Sequence, residues 1–324
     1  MKAVRLHEYG GPEVLVYEDV DRPAPAADQV LVRVAAASVN PIDVAVRENR
    51  FPTPKQPPKI IGADGAGVVE AVGADVTDVA VGAEVYFSGL GIGSDGSYAE
   101  YVLLAPVQAV PKPADLSFVE AAAMGMVFPT AYYALVIRGR LAAGETVLVQ
   151  GGAGGVGSAA VQIAKALGAR VLTTVGNEVA AALVTSLGAD AAIDRHKEDV
   201  RAAVQRLTDG HGVDLVHELV ASENLAADVG LITKGGRIVV TGQGTGTETG
   251  LPIGAAIGLN ATILFMSLNN AGRAGVAEIM AHIAELAQQG KIKPVVSATL
   301  PLAEARRAHE LLAGEHCGKI VLVP

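Results

Sequence analysis

Thr146-Val-Leu-Val-Gln-Gly-Gly-Ala-Gly-Gly-Val-Gly157 sets a short aliphatic run against a cluster of glycines. Thr146 to Gln150 has the β-branched and aliphatic make-up of a buried strand. Gly152, Gly154 and Gly157 follow in G-x-G-x-x-G spacing. Ser158 to Leu167 is helical in pattern, with Val156, Ala160, Ile163, Ala164 and Leu167 on one face and Gly168 as the stop. The spacing alone marks many tight turns. Framed by a strand, a helix and a second strand at Arg170 to Thr174, it predicts a dinucleotide-binding βαβ unit. Glycine lets the backbone turn sharply against a pyrophosphate, and the helix start offers free N–H groups and partial positive charge.

Downstream, strand patterns at Ala191–Ile193, Val213–His217, Arg237–Thr241 and Thr262–Phe265 alternate with apolar helical segments. That alternation predicts an α/β fold built on a doubly wound parallel sheet. Val276 to Gln288 reads as a further amphipathic helix. Upstream, short runs such as Val30–Val34, Gly67–Val72 and Glu84–Phe87 lie between Gly- and Pro-rich turns and predict a barrel-like antiparallel module. Gly62-Ala-Asp-Gly-Ala-Gly67 has no strand–helix frame and reads as a tight turn. Ser117 with Glu120 is spaced as a capping box, where helices begin. Lys291 to Pro324 reads strand, helix, strand and suits the first module. The expected division is 1–120, 121–290 and a return over 291–324.

At 324 residues the chain exceeds one typical core, so two domains are expected. A net charge of −9 with scattered Lys and Arg argues against nucleic acid as a partner. The single cysteine excludes an intrachain disulfide and a cysteine-rich zinc lobe. No apolar run reads as membrane-spanning, and Met1 leads directly into a strand pattern. A soluble, cytoplasmic protein is therefore expected.

Tyr9-Gly-Gly-Pro-Glu-Val-Leu15, Val39-Asn-Pro-Ile-Asp43, Gly62–Gly67, Gly96-Ser-Tyr-Ala-Glu-Tyr101, Thr130-Ala-Tyr132, the glycine loop, Gly235-Gly-Arg-Ile-Val239 and Gly318-Lys-Ile-Val321 occur together and in order. In this the chain resembles the zinc-free branch of the medium-chain dehydrogenase/reductases, and within it the ζ-crystallin-like quinone oxidoreductases. The resemblance implies a GroES-like substrate domain, a Rossmann NADP-binding domain and a cleft between them. It also implies a homodimer or homotetramer joined through Rossmann-sheet edges.

Zinc-dependent relatives carry Cys and His ligands in the loops that here read Asn40–Asp43 and Gly62–Asp64. No thiol stands near either, so no metal is expected. Without a Lewis acid, alcohol oxidation is disfavoured against reduction of a quinone or an α,β-unsaturated carbonyl. An enoyl thioester reductase-like activity, or nucleotide binding with little turnover, remains as an alternative.

An acid at the end of the second strand would bind the ribose of NADH. Val175 stands there instead, beside Thr174, Gly176 and Asn177, and Arg195 follows the third strand. These residues favour NADPH, with a solvated surface charge as the alternative role for Arg195 and Asp194 beside it as a competing charge. The resemblance places Ala153, Gly154, Gly155, Val156 and Gly157 at the pyrophosphate and Asn224 on the adenosine or pyrophosphate side. Thr241 and Gly242 fall beside the nicotinamide, and Phe265, Met266 and Ser267 at its carboxamide. Phe265 reads equally as core. Asn40 and Thr130 are implied to line the nicotinamide pocket, although Asn40 before Pro41 is also a natural turn former. Ala45 and Phe51 stand where such reductases commonly carry two tyrosines, which implies a roomier, less polar substrate pocket.

Overall fold

The computed structural model describes every residue except Pro52 and Glu315. The chain forms two compact units, residues 130–270 and residues 1–129 with 271–324.

The unit of residues 130–270 is built on a six-stranded sheet. Its order runs Ala191–Asp194, Arg170–Val175, Thr146–Val149, Val213–Glu218, Ile232–Val240 and Thr262–Phe265. Every pairing is parallel. Strand order reverses beside Thr146–Val149, the arrangement that leaves a crevice at the carboxyl ends of an open α/β sheet. Val147, Leu148 and Val149 have no solvent exposure, which explains why these three positions are aliphatic. The helix after it, Gly155–Ala166, differs from the one-faced pattern expected. Gly157 through Ala164 are buried without interruption, as in a helix enclosed on all sides.

The other unit holds a seven-stranded sheet. Val30–Ser38 pairs antiparallel with Asp64–Val72, Tyr101–Leu104 and Lys319–Val323, and Val296–Pro301 joins Lys319–Val323 in parallel. Glu84–Ser88 and Val110–Pro111 extend the far side. Leu15–Asp19, Lys2–Leu6 and Lys59–Ile60 form a separate three-stranded sheet. The return of the C-terminal tail is therefore literal: its last strand is laid against Val30–Ser38.

Three expectations need correction. Asp64–Val72 is a strand, so Gly62–Gly67 is largely not a turn. A Cβ on Gly65 would lie 2.7 Å from Ala36 O, and one on Gly67 2.2 Å from Arg33 O. Those glycines serve close backbone approach, and only Gly62 takes a positive φ, of 109°.

The unit boundaries fall at 129 and 270 rather than at 120 and 290. Helix Gly272–Gln288 buries Val276, Ile279, Met280 and Ile283, and the Tyr86 hydroxyl donates to Met280 O. That ties the helix to the antiparallel sheet.

One helix, Phe118–Arg138, is also long and apolar enough to cross a membrane by length and composition. Two-thirds of its apolar window (67%) is buried within the fold. The Ser117 hydroxyl accepts from Glu120 N–H at its start, as the capping-box spacing predicts.

Candidate functional site

The glycine loop sits at the carboxyl end of Thr146–Val149. Gly151 turns the chain with φ of 65°, and Gly154 is the N-cap of helix Gly155–Ala166. A Cβ on Gly152 would lie 2.0 Å from Thr173 Oγ1, and one on Gly157 2.2 Å from Gly151 O. Both positions must be glycine for the helix start to close on the sheet. Gly155, Val156 and Gly157 are the first helical residues, whose N–H groups have no intrahelical acceptor. Beside Ala153 they make a cradle suited to a pyrophosphate, and the residues fit a dinucleotide.

The second-strand end brings two predicted residues together. Val175 pairs with Asp194 across the sheet, and Arg195 N–H donates to Val175 O at 3.1 Å. The Arg195 guanidinium consequently lies over Gly176, its Nη2 3.1 Å from where a Cβ would stand. Asp194 does not neutralise it. That carboxylate accepts from His196 N–H at 3.0 Å and faces Lys197 at 3.7 Å. Asn177 is less free than expected, because its Oδ1 caps helix Glu178–Ser186 by accepting from Ala180 N–H at 2.9 Å.

The remaining cofactor residues divide. Thr241 Oγ1 lies 3.0 Å from His217 Nε2, and burial pushes His217 down to about 4, so the imidazole is neutral. A Cβ on Gly242 would lie 1.8 Å from Leu219 O, which again demands glycine. Asn224 Nδ2 reaches Glu218 Oε1 at 3.4 Å. Met266 N–H continues the sheet by donating to Val240 O, and Ser267 O accepts from Asn270 N–H. Phe265 is 65% exposed on the edge strand, so the core alternative fails for it.

Of the residues expected to line the substrate pocket, Asn40 is almost wholly enclosed, at 1% exposure. Its Oδ1 accepts from Lys319 Nζ at 2.6 Å, and its Nδ2 donates to Asp64 Oδ1 at 2.8 Å. Its own N–H donates to Asp43 Oδ2 at 2.9 Å, opening helix Pro41–Arg47. Burial, and then the charge of Asp64, push Asp43 up to about 7. Burial likewise raises Asp64 and lowers Lys319. Ala45 is half-buried on that helix, and its carbonyl accepts from Phe51 N–H at 3.1 Å, which draws the two together. Thr130 is buried in helix Val127–Tyr132.

Sequence reasoning missed Lys319, Glu218, Asp228 and Gln150, all buried. A signal existed for Gln150 and Glu218, an amide and an acid at the carboxyl ends of strands Thr146–Val149 and Val213–Glu218, but not for Asp228 at the end of a helix or Lys319 at the start of a strand. Among the described residues no cluster of three or more His, Cys, Asp or Glu side chains is arranged to hold a metal.

A GroES-like unit in the same chain as a parallel sheet with a glycine cradle defines the medium-chain dehydrogenase/reductase class. Residues 26–114 match the alcohol dehydrogenase GroES-like domain family, and residues 155–285 match the zinc-binding dehydrogenase family. The chain is 34% identical to a quinone oxidoreductase of Rattus norvegicus, across 100% of its length and 98% of that protein. A crystal structure of an NAD-dependent alcohol dehydrogenase superposes with TM-score 0.94 at 35% identity, covering all of both chains. The Escherichia coli quinone oxidoreductase complexed with NADPH superposes with TM-score 0.92 at 29% identity, again over the full length of both. The chain belongs to the quinone oxidoreductase family of the medium-chain dehydrogenase/reductases, and is an oxidoreductase that takes a nicotinamide cofactor and a small-molecule substrate.

Proposed function

We propose that this chain reduces quinones or α,β-unsaturated carbonyls with NADPH and without zinc. The observation that carries the cofactor choice is the Arg195 guanidinium over Gly176, with no acid at the end of Arg170–Val175. A planar guanidinium suits the 2′-phosphate of NADPH, and the neighbouring NADH-type carboxylate is missing. Similar structures include an NAD-dependent alcohol dehydrogenase and a quinone oxidoreductase complexed with NADPH, so the discrimination rests on these residues.

NADPH, when bound, supplies a hydride from its nicotinamide C4. What the chain contributes is binding and orientation. The cradle at Ala153–Gly157 takes the pyrophosphate, and Thr241, Gly242, Phe265, Met266 and Ser267 lie at strand ends suited to the nicotinamide side. The final proton comes from solvent, since no side chain at these positions offers a dedicated acid. The zinc-free part of the reading is supported by Lys319. It occupies the Asn40 amide oxygen and lies among Asp43 and Asp64, where a divalent cation would have to displace it.

Turnover of 9,10-phenanthrenequinone, p-benzoquinone and methyl vinyl ketone with NADPH tests the function. With Ala45 and Phe51 in place of two tyrosines, the flat multi-ring quinone has the highest kcat/KM, because apolar area contributes about 25 cal/mol per Å² buried. Ala45→Tyr narrows that preference. Absence of turnover with all three, or loss of activity with a chelator, counts against the proposal.

The same reading includes a homodimer. Thr262–Phe265 is an open edge of the parallel sheet, and Phe265, Ile253 and Ile257 are 65%, 59% and 70% exposed. An unpaired strand edge flanked by apolar side chains is a ready template for a second copy.

A further inference from the structure

The carboxyl ends of three neighbouring strands are linked beneath the glycine loop by a chain of buried polar side chains. Gly151 N–H, which can only donate, gives its hydrogen to Thr174 Oγ1 at 2.8 Å. The Thr174 hydroxyl then donates to Gln150 Oε1 at 2.8 Å. That turns the Gln150 Nε2 group toward Asp228 Oδ1, also at 2.8 Å. Direction is therefore fixed at each link by the backbone end.

At the far end stand two acids. Glu218 closes strand Val213–Glu218, and Asp228 closes helix Ala221–Asp228. Both are fully buried. Glu218 Oε1 accepts from Val220 N–H and Asn224 Nδ2. Glu218 Oε2 and Asp228 Oδ2 are both buried and meet no donor among the described residues, and Glu218 stands close enough to Asp228 to raise it. Two carboxylates have no hydrogen to share, so the pair must hold one proton.

We propose that Glu218 and Asp228 form a proton-sharing pair that positions the glycine loop, through Gln150 and Thr174, for the nucleotide. They are positioning residues and need not touch the cofactor. The proposal rests on the dinucleotide reading of the loop. It places a carboxylic acid where two buried charges would repel, and it makes the loop's first N–H depend on that acid's protonation.

Burial, followed by the hydrogen bond and charge of Glu218, pushes Asp228 up to about 9. The pair thus keeps its proton at neutral pH and loses it only in alkali. Other charged groups nearby are occupied or turned away. His217 is neutral and bonded to Thr241, Glu223 accepts from Thr245 Oγ1, and Asp214 accepts from Thr146 N–H at the opposite strand end. Arg237 is paired with Glu145, and Arg201 lies against Gly230, two residues beyond Asp228.

The experiment measures NADPH dissociation constants by calorimetry from pH 7 to pH 10, for the intact protein and for Asp228→Asn, Asp228→Leu and Glu218→Gln. The intact protein should bind about tenfold more weakly once pH passes the pair's pKa, as one buried hydrogen-bond link is lost. Asp228→Asn and Glu218→Gln can still form the link and carry no shared proton, so they rescue binding and flatten the profile. Asp228→Leu cannot accept from Gln150 and should bind about tenfold more weakly at every pH.

An alkaline loss that persists in Asp228→Asn and Glu218→Gln overturns the proposal. So does normal binding by a folded Asp228→Leu; where that variant does not fold, the two conservative variants decide. Amide hydrogen exchange of the peptide spanning residues 149–158, without nucleotide, separates the two readings. Faster exchange in alkali, relative to Asp228→Asn at the same pH, supports the positioning pair even if NADPH fails to bind. Equal exchange refutes it whatever the nucleotide does.

Discussion

Arg195→Ala removes the guanidinium that lies over the end of the second strand. The guanidinium stands 3.1 Å (Nη2) and 3.3 Å (Nη1) from the Cβ position of Gly176, and its neighbour Asp194 is held by His196 N–H and Lys197. A charge-assisted hydrogen bond contributes roughly 1.5–3 kcal/mol, and because Arg195 is exposed the lower end applies. The NADPH-over-NADH ratio of kcat/KM should therefore fall about tenfold, through NADPH alone. Gly176→Asp probes the same geometry from the other side. Gly176 has no positive φ, and a carboxylate there would meet the flexible end of Arg195, so the chain can accommodate it. It would neutralise Arg195 and repel a 2′-phosphate, inverting the preference toward NADH. The assay is steady-state reduction of one quinone with both cofactors, repeated at high salt, where the discrimination should shrink. Equal losses with NADPH and NADH in Arg195→Ala would reduce Arg195 to a surface charge, and an unchanged preference in Gly176→Asp would refute the geometry outright.

Three further outcomes are expected. Gly152→Ala places a Cβ 2.0 Å from Thr173 Oγ1 and 2.9 Å from Thr173 Cβ, so overpacking should cost about 1–3 kcal/mol and weaken nucleotide binding; wild-type melting in calorimetry would show that the loop has room. His309 is pushed from 6.5 down to about 3 by burial and the Arg47 charge, so the unfolded chain binds its proton more readily. The stability that neutral His309 contributes is complete above 6.5 and is lost as pH falls toward 3. Denaturant unfolding of His309→Gln alongside the intact protein should show the gap between them closing over that range, and a constant gap contradicts the assignment. Phe265→Glu should give monomers in light scattering if the sheet edge joins two copies, and a monomeric wild type at micromolar concentration removes the premise.

The parallel sheet was legible because its strands are mostly aliphatic, and Thr146–Val149, Arg170–Val175 and Ile232–Val240 each run into glycine within two residues. Thr262–Phe265 was bounded correctly at both ends, and Arg170–Val175 to within one residue. Gly62–Gly67 was not legible, because glycine at a turn and glycine under a crossing strand look alike in one dimension. The separating fact, Arg33 O 2.2 Å from a Cβ on Gly67, belongs to the partner strand. Helix Gly272–Gln288 was legible as a helix but not as a member of its unit. Its apolar stripe shows only that one face is buried, whereas Tyr86 and Met280 show against what. At the candidate site the glycine cradle could be read locally, and Arg195 could be placed by counting strands.

The buried polar residues follow another rule, and it explains why they were missed. A charge or amide leaves water only if a partner compensates it, and nothing requires the partner to be near in sequence. Lys319 meets Asn40 across 279 residues, Arg47 meets His309 across 262, and Gln150 meets Asp228 across 78. Each looks like an ordinary surface residue until the chain has closed. Once it has closed, chemistry fixes the rest. Arg47 can only donate, so His309 Nδ1 accepts from it at 3.0 Å, and Nε2–H must then donate to the Tyr98 hydroxyl at 3.1 Å. Tyr98 is left to donate to Asp43 Oδ2, which also accepts from Asn40 N–H. The start of helix Pro41–Arg47 is thus tied to the tail helix Ala305–Leu312 through hydrogen bonds of one possible direction. The helix bearing Ala45, and through it the proposed substrate preference, depends on residues that its own sequence does not contain.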